Sequence, residues 1–173
     1  LDNGYELRFK DARKFGRVYL AREPKEVTGK LGPEPLDPSF TLRTFRKLLS
    51  KKSGALKPLL LDQTFIAGIG NIYADEALWR ARLHPRRKAA SLQPDEVAAL
   101  YQGIRAALKD GIRHEGAAID WVYPEGNYQE HFRVYARTGQ PCRRCGAAIQ
   151  RITVGQRGTH FCPQCQRQRG SPA

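Results

Sequence analysis

Residues 142–165 read CRRCGAAIQRITVGQRGTHFCPQC, and this stretch decides the fold of the C-terminal part of the chain. It holds two Cys-x-x-Cys pairs, Cys142/Cys145 and Cys162/Cys165, with sixteen residues between them. Two such pairs at this spacing are typical of a tetrahedral zinc site with four thiolate ligands. Four thiolates leave no coordination position open for water, so the predicted Zn²⁺ is a single structural ion.

The segment between the pairs is long enough to run out and back as a hairpin. We predict strands over residues 149–154 and 159–161, joined by the turn Gly155-Gln156-Arg157-Gly158. His160 could compete as a zinc ligand, but four thiolates complete the shell, so it is interpreted as a strand residue. Two disulfides in a small secreted fold are the alternative. They are disfavoured because these are the only four cysteines in the chain and no signal peptide precedes them.

The charge distribution around the cysteines indicates the kind of partner. Residues 131–173 contain eight arginines and no Asp, Glu or Lys. A zinc ion with four thiolates carries −2, which leaves this segment near +6, within a chain of net charge +13. Such a concentration of positive charge is typical of nucleic-acid binding. A membrane surface is the weaker alternative, because the sequence has no long apolar run and no basic amphipathic helix with an aromatic face.

The middle of the chain has the periodicity of a helical bundle. We predict a helix with Thr41 as its N-cap, a second over about 55–65 and a third over about 72–83. Ser91 is the predicted N-cap of a long helix that ends at Gly116. Its apolar stripe has the 3.6-residue period and comprises Val97, Leu100, Ile104, Leu108 and Ile112.

The N-terminal residues have the pattern of strands. Asn3-Gly4 is a hairpin turn signal, and residues 5–9 alternate between apolar and polar side chains. A second short strand is predicted over 17–20. Residues 23–39 contain four prolines and are expected to form an extended linker. Because the strand that should precede the turn is nearly absent, we interpret the chain as a C-terminal fragment.

The turn Gly68-Ile69-Gly70-Asn71 precedes the third predicted helix. Unpaired N–H groups and the positive end of a helix dipole make such a helix start a phosphate-binding site. The alternative is purely structural, with Gly68 as a helix C-cap and Asn71 as the next N-cap. From this turn alone the two remain open.

Three stretches together resemble the formamidopyrimidine-DNA glycosylase/endonuclease VIII family. LLDQTFIAGIGNIYADEAL at 60–78 is similar to its helix–two-turn–helix element, and QRGTHFCP at 156–163 to its C-terminal zinc finger. DARKFG at 11–16 resembles the loop at the end of its N-terminal sandwich. The resemblance covers essentially the whole chain in the correct order.

The resemblance implies an α+β fold of three parts. Residues 1–40 would be the end of an N-terminal catalytic β-sandwich and a linker, and residues 41–130 a helical helix–two-turn–helix DNA-binding domain. Residues 131–173 would form the four-cysteine zinc finger as a C-terminal β-hairpin.

The resemblance also implies base-excision repair of oxidised purines, by glycosylase activity followed by strand cleavage at the abasic site. The partner would be double-stranded DNA with a damaged or abasic site, bound by a monomer in the bacterial cytoplasm, associated with the nucleoid. Lys57, Gly70 and Asn71 would hold phosphates around the flipped nucleotide, and Arg157 the phosphates that flank the lesion. Arg13 would reach the orphaned base, and Phe15 would wedge into the stack, offsetting the cost of base extrusion.

Two departures from the family pattern qualify this expectation. The family's nucleophile is an N-terminal proline followed by glutamate, whereas this chain begins with Leu1 and Asp2. We therefore expect no catalytic residue in this chain, which alone would bind DNA without reacting. The segment 120–128 is shorter than the loop of family members specialised for oxidised guanine. The alternatives are therefore an endonuclease VIII-type enzyme for oxidised pyrimidines and, from another class, a non-catalytic zinc-containing nucleic-acid-binding module.

Overall fold

A computed structural model describes residues 1–9, 11, 16–118 and 126–168. The chain forms two compact units, Leu1–Lys30 and Leu31–Ala173. In the first unit, part of the predicted linker is a short helix, α1 (Pro24–Thr28). Proline is favourable at the first helical position because its missing N–H would have no partner there.

The strands predicted over residues 5–9 and 17–20 are absent from the structure. A strand is stable only when a neighbour completes its hydrogen-bond ladder and covers one of its faces. Among the described residues no other strand pairs with these two segments. Their apolar side chains are exposed, and Leu7 has 81% of its surface accessible. The alternation of apolar and polar side chains therefore does not by itself produce a strand.

The second unit begins with α2 (Leu42–Leu49), which starts where predicted and is shorter than the helix expected to end near Gly54. The Thr44 N–H donates to Thr41 Oγ1 at 3.2 Å, which confirms Thr41 as the N-cap. Phe45 and Leu49 lie on the buried face of the helix.

The next two helices are shorter than predicted. α3 (Leu56–Leu61) ends four residues early, because Asp62 Oδ1 accepts hydrogen bonds from the Thr64 N–H and hydroxyl and turns the chain. α4 (Asn71–Arg80) ends when Arg82 takes a left-handed backbone with φ 58°. The Leu83 N–H then donates to Leu78 O, which closes the helix as a Schellman motif.

The long helix is α5 (Pro94–Arg113), and its N-cap is Gln93 rather than the predicted Ser91. The Gln93 side chain accepts from the N–H of Glu96, and the Glu96 carboxylate accepts from the N–H of Gln93. This reciprocal capping box, with Pro94 at the first position, outweighs a serine cap two residues earlier. Ser91 instead lies in a 3₁₀ turn, Ala89–Ser91.

The four helices α2–α5 enclose the main apolar core, whose largest buried side chains include Phe45, Leu60, Ile69, Leu78 and Ile104. α4 and α5 cross closely, because a Cβ at Gly103 would lie only 2.7 Å from the Ala77 carbonyl oxygen. The bundle therefore fixes α4 firmly from one side. Among the described residues, no helix is long and apolar enough to cross a membrane.

After α5 and a 3₁₀ turn at Tyr128–His131, the chain forms the predicted hairpin. β1 (Gln150–Val154) pairs antiparallel with β2 (Arg157–Phe161), with Val154 opposite Arg157. The loop is only Gly155-Gln156, and φ values of 56° and 60° are those of a type I′ turn. Arg157 is therefore the first strand residue after the turn. The fold is α+β, as predicted, with this hairpin as its only sheet among the described residues.

Candidate zinc centre and nucleic-acid interface

The four cysteines converge as the sequence spacing predicts. Their Sγ atoms all lie within 4.8 Å of one another, with 4.0 Å between Cys142 and Cys165 and 3.4 Å between Cys145 and Cys162. A tetrahedral zinc with Zn–S bonds of about 2.3 Å needs S···S distances of about 3.8 Å. None of the four is in a disulfide. The donor set fits one structural zinc ion, and the disulfide alternative is excluded.

A helix of the bundle supports one zinc ligand directly. The Trp79 indole N–H donates to Cys142 Sγ at 3.4 Å, and the Arg144 guanidinium covers the indole ring at 4.0 Å. Burial raises the pKa of Cys142, but N–H donors from Arg144, Trp79 and Cys145 outweigh it and bring the pKa to about 6. Burial raises the pKa of Cys162 to about 12. Because metal binding requires thiolates, zinc binding releases the thiol protons of this cluster.

The first turn of α4 is hydrogen-bonded to the outer edge of β2. The Asn71 side-chain amide donates to Gly158 O at 3.1 Å, and the His160 N–H donates to Asp75 Oδ2 at 2.9 Å. Asn71 and Asp75 are four residues apart and so lie on one face of the helix. Gly158 and His160 are two residues apart and so lie on one edge of the strand. The helix start and the hairpin are thus held in a fixed relation.

Lys57 lies beneath this contact and is completely buried. Its Nζ donates to Asn71 O at 2.9 Å and to Asp75 Oδ1 at 2.6 Å. Burial lowers its pKa, as does the nearby positive charge of Arg157, while Asp75 acts in the opposite direction. The structure places the Lys57 side chain below the surface, and the phosphate contact predicted for it stays a prediction. The sequence identifies the lysine but does not show how deeply its side chain is buried.

A second buried acid on α4, Glu76, holds the segment that leads into the finger. Its carboxylate accepts backbone N–H groups from Arg133, Val134 and Tyr135 at 2.9, 2.9 and 3.1 Å. Burial raises the pKa of Glu76, and these three donors oppose the shift. Neither Asp75 nor Glu76 was predicted from the sequence as a site residue. The signal was present as two adjacent acids in an otherwise apolar helix, Ala74-Asp75-Glu76-Ala77-Leu78.

The N-terminus of α4 has the properties of an anion site. Its N-cap is Gly70, which has no side chain to bind the first N–H groups. The first intrahelical hydrogen bond runs from the Ala74 N–H to Gly70 O. The N–H groups of Asn71 and Ile72 come before it in the chain and are outside the helical hydrogen-bond ladder. One N–H of the Asn71 side-chain amide is occupied by Gly158 O, and its Oδ1 is buried without a partner. Asn71 can therefore offer an anion its backbone N–H and the second N–H of its side-chain amide.

The glycine turn before α4 is fixed by a side chain that the sequence analysis did not identify. Gln63 Oε1 accepts from the Gly68 N–H at 2.9 Å, and Gln63 Nε2 donates to Ile69 O at 3.0 Å. Gly68 needs its left-handed φ of 80° here, which a side chain would disfavour. The turn is thus set before any ligand binds.

Of the remaining predicted site residues, Arg157 is exposed next to the hairpin turn. Arg13 and Phe15 lie outside the described residues, as does most of the segment 120–128. The structure thus brings Gly70, Asn71 and Arg157 to one surface, with Lys57 buried below them.

Comparisons with known proteins match both the helical part and the zinc finger to known families. Residues 31–122 match the family model described as the formamidopyrimidine-DNA glycosylase H2TH domain, and residues 139–168 match the zinc finger found in FPG and IleRS. The formamidopyrimidine-DNA glycosylase of Herpetosiphon aurantiacus is 51% identical over 172 residues, which cover 96% of this chain and 63% of that protein.

Two solved structures resemble the chain closely. The MutM (Fpg) protein of Thermus thermophilus has a TM-score of 0.83 at 42% identity, over 90% of this chain and 62% of that one. The Lactococcus lactis Fpg in complex with abasic-site DNA has a TM-score of 0.78 at 41% identity, over 84% and 55%. The chain therefore spans less than two thirds of the length of these relatives.

Proposed function

The chain belongs to the formamidopyrimidine-DNA glycosylase family, and on that premise we propose that it is the part of a base-excision repair enzyme that holds duplex DNA at a damaged or abasic site. The observation that carries the proposal is the fixed juxtaposition of Arg157 and the N-terminus of α4. The Asn71–Gly158 and Asp75–His160 hydrogen bonds hold the hairpin and the helix together. Two kinds of hydrogen-bond donor for a phosphate, the backbone N–H groups of the helix start and the Arg157 guanidinium, thus lie at one surface.

The physical chemistry favours a phosphate as the ligand of this surface. Backbone N–H groups at a helix start and the helix dipole bind anions, and a guanidinium adds charge-assisted hydrogen bonds. Buried Lys57 donates to Asn71 O in the first turn of α4 and is paired with Asp75, which helps to fix the helix start. The net charge of +13 supplies the long-range attraction that DNA-binding proteins use.

We further propose that the complete protein is a bifunctional glycosylase and abasic-site lyase for oxidised purines, such as formamidopyrimidines. The family name refers to these ring-opened purines, and the chain's anion site suits the phosphates of an extruded nucleotide. On the resemblance of DARKFG, we propose that Arg13 and Phe15 fill the space left in the duplex. We expect a monomer in the bacterial cytoplasm, organised as the end of a sandwich domain, a helical domain and a zinc finger.

The binding proposal is tested by comparing Arg157→Ala with Arg151→Ala, an arginine of β1 whose backbone is farther from the turn although its guanidinium lies against Gly158. Affinity is measured over a range of salt concentrations, with a duplex that contains a tetrahydrofuran abasic-site analogue. Loss of one placed phosphate contact should weaken binding about tenfold and reduce the salt slope by about 0.9 in Arg157→Ala. The loss in Arg151→Ala should be smaller. Equal losses would mean that diffuse charge, rather than a placed contact, drives binding.

The location of the chemistry is tested by borohydride trapping on abasic-site DNA. A lyase of this kind forms a Schiff base between an amine and the sugar, and efficient attack needs a positioned amine. The family's proline nucleophile has no counterpart at Leu1. We expect the 173-residue chain to bind the DNA without giving an efficient trapped adduct. Robust trapping would place the nucleophile within these residues and contradict this part of the proposal.

A further inference from the structure

Asp75 is the point at which three parts of the second unit meet. Its side chain is completely buried, in an ion pair with Lys57 on α3 and in contact with His160 on β2. One oxygen accepts from Lys57 Nζ at 2.6 Å. The other accepts from the His160 N–H at 2.9 Å and lies 3.3 Å from His160 Nδ1. No other carboxylate among the described residues forms an ion pair with Lys57.

The contact between Asp75 and His160 lies on the same short strand as Arg157. Arg157 begins the strand, and the edge groups that bind α4 follow immediately, at Gly158 O and the His160 N–H. The short turn and the pairing of Val154 with Arg157 make the hairpin a stiff two-stranded ribbon. A change in its attachment at His160 therefore changes where the Arg157 guanidinium lies relative to the first N–H groups of α4.

We propose that Asp75 is a positioning residue for DNA binding, holding β2 against α4 so that Arg157 and the N-terminus of α4 act as one phosphate clamp. This rests on the proposed function, that the surface binds DNA phosphates. Asp75 itself does not contact the ligand, because its side chain is buried between α4, Lys57 and β2.

Opposite a charged Lys57, an amide at this position cannot make both of the carboxylate's contacts. Both neighbours of Asp75 are donors, the Lys57 ammonium and the His160 N–H. A carboxylate accepts from both, whereas an amide has one acceptor and one donor end. In Asp75→Asn the charged Lys57 would attract the amide oxygen, and the amide NH₂ would then face the His160 N–H. The attachment of the hairpin would be lost while the shape of the side chain is kept.

A double-mutant cycle separates positioning from general destabilisation. The variants are Asp75→Asn, Arg157→Ala and the combination, measured with the abasic-analogue duplex. If Asp75 acts through Arg157, Asp75→Asn should weaken binding by about tenfold and reduce the salt slope by about 0.9, as Arg157→Ala does. The combined variant should bind no more weakly than Arg157→Ala alone. Independent losses that multiply to about a hundredfold would overturn the proposal.

A second variant covers the case in which Asp75→Asn fails to fold, because it leaves Lys57 buried without a counter-charge. Lys57→Met combined with Asp75→Asn removes that charge and frees the amide oxygen to accept the His160 N–H. This double variant should fold and should bind the duplex more tightly than Asp75→Asn. Adding Arg157→Ala to it should again weaken binding. A folded pair that binds DNA normally but no longer depends on Arg157 would overturn the proposal, as would one in which binding is lost.

The matched control is Asp110→Asn. It too breaks an ion pair of α4, here between Asp110 and Arg80, on the side of the helix opposite the hairpin. It should leave both the affinity and the effect of Arg157→Ala unchanged within about twofold. Zinc content, measured for every variant, shows that the finger is intact. Failure of the wild-type chain to bind the abasic duplex would contradict the proposed function. Normal wild-type binding with multiplicative losses would contradict only the role of Asp75.

Discussion

The helical bundle and the zinc hairpin pack against the same helix, α4, by opposite means. On the bundle side, Ala74, Ala77 and Leu78 belong to the continuous apolar cluster. On the hairpin side, Asn71 and Asp75 form hydrogen bonds to β2, while Glu76 binds the segment before the finger.

The two sides of α4 differ because the helical bundle is large and the zinc module is small. The bundle buries enough apolar surface to be stable without further support, whereas a small module cannot, and usually needs a metal or disulfides. The apolar cluster around the zinc site contains only Trp79, Val134, Cys142, Ile149 and Cys162 among its buried members. The finger therefore depends on zinc for its own fold, and on polar contacts with α4 together with the Trp79 ring for its orientation. Four experiments, from the largest expected effect to the smallest, test this contrast.

Cys162→Ser should unfold the hairpin and leave the bundle folded. A structural zinc contributes roughly 10–16 kcal/mol, and a serine hydroxyl cannot replace a thiolate ligand. In an ¹⁵N–¹H NMR spectrum, the signals of residues 142–165 should collapse to unfolded positions while those of α5 persist. Chelation of zinc from the wild-type chain should give the same spectrum. Simultaneous loss of the α5 signals would show that the bundle also depends on the metal.

Phe45→Ala should destabilise the bundle without affecting the metal site. Phe45 is fully buried, with its ring centroid 6.0 Å from those of Phe40 and Tyr101. Such a truncation costs about 3–5 kcal/mol, which urea denaturation would measure. The zinc content of the folded fraction should stay at one ion. Ile112→Ala, at a side chain that is 67% exposed, is the control and should change the free energy of unfolding by less than about 0.5 kcal/mol. An equally small effect in Phe45→Ala would contradict the apolar-core account.

Gly103→Ala should separate α4 from α5 slightly and cost about 1–2 kcal/mol. The added Cβ would lie 2.7 Å from the Ala77 carbonyl oxygen, and the better helix propensity of alanine offsets only part of this overlap. Gly54→Ala is the matched control, because a Cβ at Gly54 meets no atom within 4 Å. It should be neutral or slightly stabilising. Thermal unfolding of both variants measures the difference, and equal melting temperatures would argue against close packing at Gly103.

The smallest effect concerns pH. Burial lowers the pKa of His84 from its ordinary value of 6.5, and the charge of Arg86 lowers it further. The folded chain thus keeps His84 neutral, while the unfolded chain takes up a proton below about pH 6.5. Stability should be lost as the pH falls through this range, and His84→Gln should reduce the loss. An NMR titration in excess zinc checks the cause, and a His84 pKa at or above 6.5 would refute it.

Local patterns in the sequence determined the zinc ligands, the hairpin and the helix capped by Thr41. Cysteine spacing brings thiolates together over a short loop, and a cap is a contact between residues three apart, so both can be predicted from neighbours in the chain. The glycine turn at Gly68 likewise predicted where α4 begins, within one residue.

Only the tertiary structure decided the contacts that join distant segments. Lys57 was expected at the surface, yet it lies buried against Asp75, eighteen residues away. Asp75 and His160 are 85 residues apart, and nothing in either local sequence indicates the other. The strands predicted near Tyr5 failed for the same reason, because a strand depends on a partner that its own sequence does not specify. Local hydrogen bonds and metal spacing were therefore readable from the sequence, whereas burial and long-range pairing depended on which surfaces the fold brought together.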